Sequence, residues 1–85
     1  MIYQVYILYS EEHDRFYIGQ TADLDARLIR HNSKMEKATK PYCPWVLRFS
    51  IEKETRSGAM ILENKLKNLN KIRLIQFMKK YQSNE

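Results

Sequence analysis

The feature that most constrains this chain is its opening run, Ile2-Tyr3-Gln4-Val5-Tyr6-Ile7-Leu8-Tyr9. β-Branched, aromatic and aliphatic side chains dominate it, a composition that favours a strand. Its alternation places Ile2, Gln4, Tyr6 and Leu8 on one face and Tyr3, Val5, Ile7 and Tyr9 on the other. The polar segment Ser10 to Arg15 suits a hairpin connection, and Phe16-Tyr17-Ile18-Gly19-Gln20 reads as a short second strand antiparallel to the first. Gly19 inside it marks a bulge or a place where another group comes close to the backbone.

The rest of the chain must complete the fold without staples. Cys43 is the single cysteine in 85 residues, which excludes an internal disulfide framework and a multi-cysteine zinc site. That length supports one domain, residues 1–85, near the lower limit for an unaided core, with the last few residues a frayed tail. The longest apolar run, Val5 to Tyr9, is far too short to span a bilayer, and the N-terminus has no signal-peptide pattern. A cytoplasmic location and no membrane partner are the resulting expectations.

Beyond the hairpin, Thr21 or Asp23 can start a helix with an apolar stripe of Leu24, Leu28 and Ile29, and with Arg27 and His31 one turn apart on one side. Asn32 to Tyr42 reads as a loop, with Pro41 and Pro44 bracketing Cys43. Trp45, Leu47, Phe49 and Ile51 alternate with Val46, Arg48, Ser50 and Glu52, as in a half-buried strand. Thr55 or Ser57 can cap a further helix with a stripe of Ala59, Leu62, Leu66 and Leu69. A break near Asn68 and Asn70 leads to a final basic helix through Ile72, Ile75 and Met78. The order β-β-α-β-α-α predicts an α+β fold, a small three-stranded antiparallel or mixed sheet flanked by helices. Cys43, Trp45, Tyr3 and Tyr9 read as packing residues.

The net charge of +5 is unevenly placed. Residues 1–63 hold nine basic and nine acidic side chains; residues 64–85 hold Lys65, Lys67, Lys71, Arg73, Lys79 and Lys80 against Glu85. The excess is either a solvated helix face that keeps a small protein soluble or a strip that meets the phosphates of a nucleic acid. Charge alone does not choose between them.

Set side by side, Val5-Tyr6-Ile7 and Tyr17-Ile18-Gly19 resemble the paired signature of the GIY-YIG nuclease superfamily. The likeness continues through Thr21-Ala22-Asp23-Leu24-Asp25-Ala26-Arg27-Leu28, His31-Asn32, Thr39, Pro44-Trp45, and Ala59 through Glu63 to Leu66-Lys67. It covers nearly the whole chain, in order, and is similar to the small single-domain branch likened to the N-terminal nuclease domain of the excision-repair incision subunit. Val5 stands where the family name has glycine. Tyr9-Ser10 stands where many members carry a basic residue, and no asparagine after Glu63 aligns with the one that some members have.

The resemblance implies the GIY-YIG endonuclease fold and hydrolysis of a phosphodiester bond in DNA with one divalent metal ion, Mg²⁺ or Mn²⁺. It implies catalytic roles for Tyr6, Tyr17, Arg27, His31 and Glu63, with Glu63 as the metal ligand. Tyr6 would take the proton of the attacking water, while Tyr17 would position water or phosphate. Arg27 would oppose charge on the phosphate, and His31 would relay a proton or contact phosphate. An unperturbed tyrosine, with a pKa near ~10, is a weak base at neutral pH unless cations favour its phenolate. Lys67, Lys71, Arg73, Lys79 and Lys80 are the candidate DNA contacts. The chain has no room for a sequence-reading domain, so sequence-non-specific cutting is expected, directed by a branched or flapped structure or by a protein partner in repair or recombination. A non-catalytic nucleic-acid-binding or adaptor module on the same fold is the alternative.

Overall fold

Residues 2–82 are described by the computed structural model; the expected frayed tail falls largely on residues 83–85, outside them. Two strands, β1 (Tyr3–Ser10) and β2 (Arg15–Thr21), precede helix α1 (Leu24–Asn32) and a single 3-10 turn (Lys40–Tyr42). Strand β3 (Val46–Lys53) follows, then helices α2 (Arg56–Lys67) and α3 (Lys71–Gln82). The strands form one sheet in the order β2-β1-β3, with both pairings antiparallel. This is the predicted α+β arrangement.

As the central strand, β1 is covered on both faces, so its alternation divides the core in two. Val5 and Ile7 join Ile18, Ala59, Leu66, Leu74 and Met78 beneath α2 and α3. Tyr6 and Leu8 join Trp45, with Tyr17, Leu24, Leu28, Tyr42 and Cys43 packed around them, on the α1 side. Burying an aliphatic side chain stabilises by about 1.5–3 kcal/mol, and all four residues from Val5 to Leu8 are buried. The central strand therefore anchors both layers.

Strand β3 corrects the sequence reading. The expected alternation put Trp45, Leu47, Phe49 and Ile51 on one face. The pairing instead slips by one residue between Ile7↔Phe49 and Leu8↔Leu47, leaving Arg48 as the extra residue of a bulge. Because side chains alternate with a period of two, one inserted residue exchanges the faces beyond it. Phe49 and Ile51 stay with the α2–α3 core, Trp45 enters the core on the α1 side, and Leu47 is exposed.

Helix starts follow the capping logic. Asp23 caps α1 by accepting from the Ala26 N–H at 3.1 Å, and Thr55 caps α2 by accepting from the Gly58 N–H at 3.0 Å. Asn70 accepts from the Arg73 N–H at 2.9 Å at the start of α3, on the predicted break. Two stripe assignments are corrected: Ile29 and Ile72 are exposed, and Leu74 takes the buried place expected of Ile72. The 3-10 turn also lies inside the stretch expected to be loop. The hairpin turn between β1 and β2 includes Asp14 at φ 51°, a left-handed conformation that Asp tolerates better than most residues. Lys71 at the head of α3 donates to the Asp14 carbonyl at 3.1 Å and to its carboxylate, tying the last helix to the first hairpin.

Candidate active site

The register Tyr6↔Gly19 and Leu8↔Tyr17 brings the two motif tyrosines out on the same face of the sheet, with ring centroids 6.4 Å apart. Gly19 makes that arrangement possible. A Cβ there would lie 2.5 Å from the Tyr6 Oη and 2.7 Å from its Cζ, so the phenol rests against a bare backbone. Of the two sequence readings of Gly19, close approach holds and the bulge lies elsewhere.

Helix α1 lays its last turn over these tyrosines. His31 is 1% exposed; its Nε2 is 3.0 Å from the Tyr6 Oη and its Nδ1 is 2.8 Å from the Thr39 Oγ1. The imidazole lies 5.0 Å from the Tyr17 ring, centroid to centroid. Both ring nitrogens are occupied within the protein. In this arrangement the His31 ring faces Tyr6 and Thr39.

The loop after α1 is fastened beneath this pair. The Asn32 side chain accepts from the Trp45 N–H at 2.6 Å and donates to the Trp45 carbonyl at 3.0 Å. The Trp45 indole donates to the Thr39 carbonyl at 3.0 Å, and the Cys43 thiol to the His31 carbonyl at 2.9 Å. Cys43 and Trp45 are packing residues, as expected, and they pack against the chain that holds His31. On the loop's outer side Arg30 pairs with Glu36 at 2.9 Å.

Electrostatics fix the resting protonation. Burial raises the Tyr6 pKa well above the usual phenol value; neighbouring Tyr17 and Glu63 add to the rise, and the Arg27 charge and hydrogen bond oppose it. Arg27 is a cation that favours the phenolate, but desolvation outweighs it, so Tyr6 rests as a phenol. Burial lowers the His31 pKa, Glu36 opposes the shift, and Arg27 and Arg30 reinforce it. A neutral imidazole beside a neutral phenol is the ground state.

Helix α2 presents Glu63, whose side chain is 17% exposed and pairs with Lys67 one turn on at 2.7 Å. Among the described residues no group of three or more His, Cys, Asp or Glu could by itself hold a metal ion. A single carboxylate still fits Mg²⁺, which keeps several waters and takes one or two carboxylates together with substrate phosphate. The five expected catalytic residues thus divide into a connected set, Tyr6, Tyr17, His31 and Arg27, and Glu63, whose charge reaches Tyr6 from α2.

Residues 2–82 match the family model described as the GIY-YIG catalytic domain. The chain belongs to the GIY-YIG family. It is also similar to the UPF0213 protein BH0048 from Bacillus halodurans, whose solution NMR structure superposes with a TM-score of 0.61 at 30% sequence identity, covering 93% of this chain and 84% of that one. Among curated proteins, none matches. GIY-YIG membership makes this a domain of a type found in endonucleases.

The expected DNA-contacting strip divides in space. Lys67 and Lys71 line a groove of about 420 Å³ that runs along the open edge of β2 and includes Tyr17, Arg15 and Leu69. Lys79 lines a different groove with Tyr9, Arg48 and Ile75, while Arg73 is exposed on α3. Lys67 and Lys71 are each already paired, with Glu63 and Asp14. Residues 27–40 hold Arg27, Arg30, Lys34, Lys37 and Lys40 against Glu36, a basic stretch on the α1 side that whole-segment charge counting hides. Sequence reasoning gave Thr39 and Asn32 no role of their own in the site, and marked Gly19 as a bulge or a place of close approach without naming the group that approaches. The available signal was their place within the family motifs, since none falls on a periodic stripe.

Proposed function

We propose that this protein is a metal-dependent endonuclease that hydrolyses phosphodiester bonds in DNA, without sequence preference, at branched or flapped structures or where a repair or recombination partner directs it. One observation carries the reading: the buried Tyr6–His31 hydrogen bond, with the charges of Arg27 and Glu63 both acting on the same phenol. A binding module needs cations on its surface; it does not need a phenol buried against a neutral imidazole.

In the reaction we propose, the attacking water gives its proton to the Tyr6 Oη as the phenol proton passes to the His31 Nε2. This concerted transfer avoids the free phenolate that burial disfavours. Arg27 opposes the charge that grows on the phosphate, and a guanidinium can do so through two parallel hydrogen bonds. Tyr17, half-buried beside Tyr6, orients water or phosphate. Glu63 would hold the divalent ion, which when bound supplies Lewis-acid polarisation of the phosphate. Lys67 and Arg15, in the groove that includes Tyr17, would guide the backbone of the strand to be cut.

The test incubates purified protein with labelled flapped, branched and linear DNA, with Mg²⁺, with Mn²⁺ and with chelator. Metal-dependent cleavage by wild type that Glu63→Gln and Tyr6→Phe abolish, with binding retained, supports the reading. Equal behaviour of all three proteins on every substrate overturns it.

A further inference from the structure

Thr39 lies in the loop between α1 and β3 and is fully buried, with its hydroxyl 2.8 Å from the His31 Nδ1. We propose that Thr39 is a positioning residue, which fixes His31 in the tautomer that carries its proton on Nδ1 and aims the bare Nε2 at the Tyr6 hydroxyl. This rests on the nuclease reading for its catalytic consequence, although the tautomer itself does not.

The buried phenol selects the tautomer, and the Thr39 hydroxyl can complete it. The Thr39 hydroxyl has one proton, and its oxygen lies 3.4 Å from the Glu36 carbonyl, which can only accept. With that proton directed to Glu36, the oxygen faces Nδ1 as an acceptor and Nδ1 carries the hydrogen, so the Thr39 geometry accommodates this tautomer. On the other side, Tyr6 is 1% exposed, and among the described residues the hydrogen-bond partner of its hydroxyl is the His31 ring nitrogen Nε2. The phenol proton then goes to His31 Nε2, 3.0 Å away, which must be unprotonated to accept it. The opposite tautomer would leave the buried phenol proton without an acceptor among the described residues, at a cost that polar burial makes large.

Thr39 is itself held in place. Its carbonyl accepts from the Trp45 indole at 3.0 Å, and its N–H donates to the Glu36 carbonyl at 3.2 Å. Helix α1, the loop and the start of β3 thus converge on one hydroxyl. The proton balance is closed: Nε2 gains the Tyr6 proton as Tyr6 gains that of the attacking water. The resulting imidazolium keeps its Nδ1–H on the Thr39 oxygen. The charged groups that act on His31 in this setting are Arg27 and Arg30 on α1 and Glu36 on the loop, and the tyrosines facing it are Tyr6 from β1 and Tyr17 from β2.

The experiment is ¹⁵N NMR of the His31 ring at pH 8 in the metal-free protein, for wild type, Thr39→Val and Thr39→Ser. Wild type and Thr39→Ser should show a protonated Nδ1 and a bare Nε2; Thr39→Val, close in shape but without the acceptor, should lose that pattern. A wild-type ring protonated on Nε2, or a Thr39→Val spectrum unchanged from wild type, overturns the proposal. The wild-type spectrum alone decides even if the valine variant does not fold. In cleavage assays Thr39→Val should lower kcat about 10- to 100-fold with KM little changed, in line with the loss of a histidine-orienting partner elsewhere, and Thr39→Ser should restore it. An unchanged kcat overturns the positioning role. Absence of cleavage by wild type itself would instead refute the nuclease reading and leave the tautomer assignment standing.

Discussion

Gly19→Ala offers a quantitative test of how the site is built. Gly19 has no positive φ, so alanine fits the backbone, and what it changes is the space under Tyr6. The new Cβ would lie 2.5 Å from the Tyr6 Oη, whereas ordinary contact begins near 3.4 Å, so the phenol must retreat by roughly 0.9 Å. Tyr6 is buried and its Oη is held 3.0 Å from His31, so a shift of that size strains or breaks the hydrogen bond. Overpacking costs about 1–3 kcal/mol, and the lost bond about 0.5–1.5 kcal/mol. Replacing glycine restricts the unfolded chain and returns about 0.4–1 kcal/mol. The net loss is therefore about 0.5–4 kcal/mol, about 2 kcal/mol at the middle of the ranges, against a total of roughly 4–13 kcal/mol for a chain of this length. Urea denaturation followed by circular dichroism measures it, and each kcal/mol should lower Tm by roughly 4–8 °C. Tyr6→Phe removes the atom in closest conflict, so the double variant should be more stable than the sum of the singles allows, by about 1 kcal/mol. A Gly19→Ala protein as stable as wild type, or strict additivity with Tyr6→Phe, would refute the reasoning.

Other expectations follow from particular contacts. His31 is held below the usual histidine range by burial, so its contribution to stability is present above about pH 6.5 and lost as pH falls through that region; urea midpoints between pH 8 and 5.5 should decline in wild type and decline less in His31→Gln, and equal slopes would contradict the assignment. Asp14 is held below the carboxylate range by Lys71 and Tyr9, so Lys71→Gln should lower stability at neutral pH and low ionic strength, with the difference shrinking in high salt and as pH falls through the carboxylate range. A difference that persists at 1 M salt, a concentration at which the Debye length is about 3 Å, would mean that Lys71 acts by packing. Reversing Lys67 should weaken DNA binding and flatten its salt dependence more than reversing Lys79, because Lys67 shares a groove with Tyr17 and Lys79 does not. Equal effects would make the basic helices a diffuse field around the protein.

The architecture was legible because most of its signals are local. The aromatic and β-branched run of β1, the polar hairpin, and the Asp23 and Thr55 caps each lead to the element observed. The β3 bulge was not legible: alternation in one strand says nothing of a register that its neighbour imposes at Arg48. Ile29 and Ile72 misled for a related reason, since a helical stripe shows which residues share a face but not how wide a face the sheet covers. In the site, Tyr6, Tyr17, Arg27, His31 and Glu63 were found through their motif, while Thr39 and Asn32 act through hydrogen bonds across a loop. Such partners have no sequence period. The sign of the Tyr6 shift also needed the structure, because the balance of burial against Arg27 depends on depth.

The central claim is that the Tyr6–His31 pair and Glu63 serve a single hydrolytic reaction. Its most direct test is single-turnover cleavage of a labelled flapped DNA in Mg²⁺ across pH 5–8, for wild type and Glu63→Gln. The account predicts metal-dependent cleavage by wild type, with a rate that rises with pH as His31 becomes neutral and levels off below the ordinary histidine value, and no cleavage by Glu63→Gln. Cleavage that Glu63→Gln retains, or a wild-type rate that falls as His31 loses its proton, would contradict it.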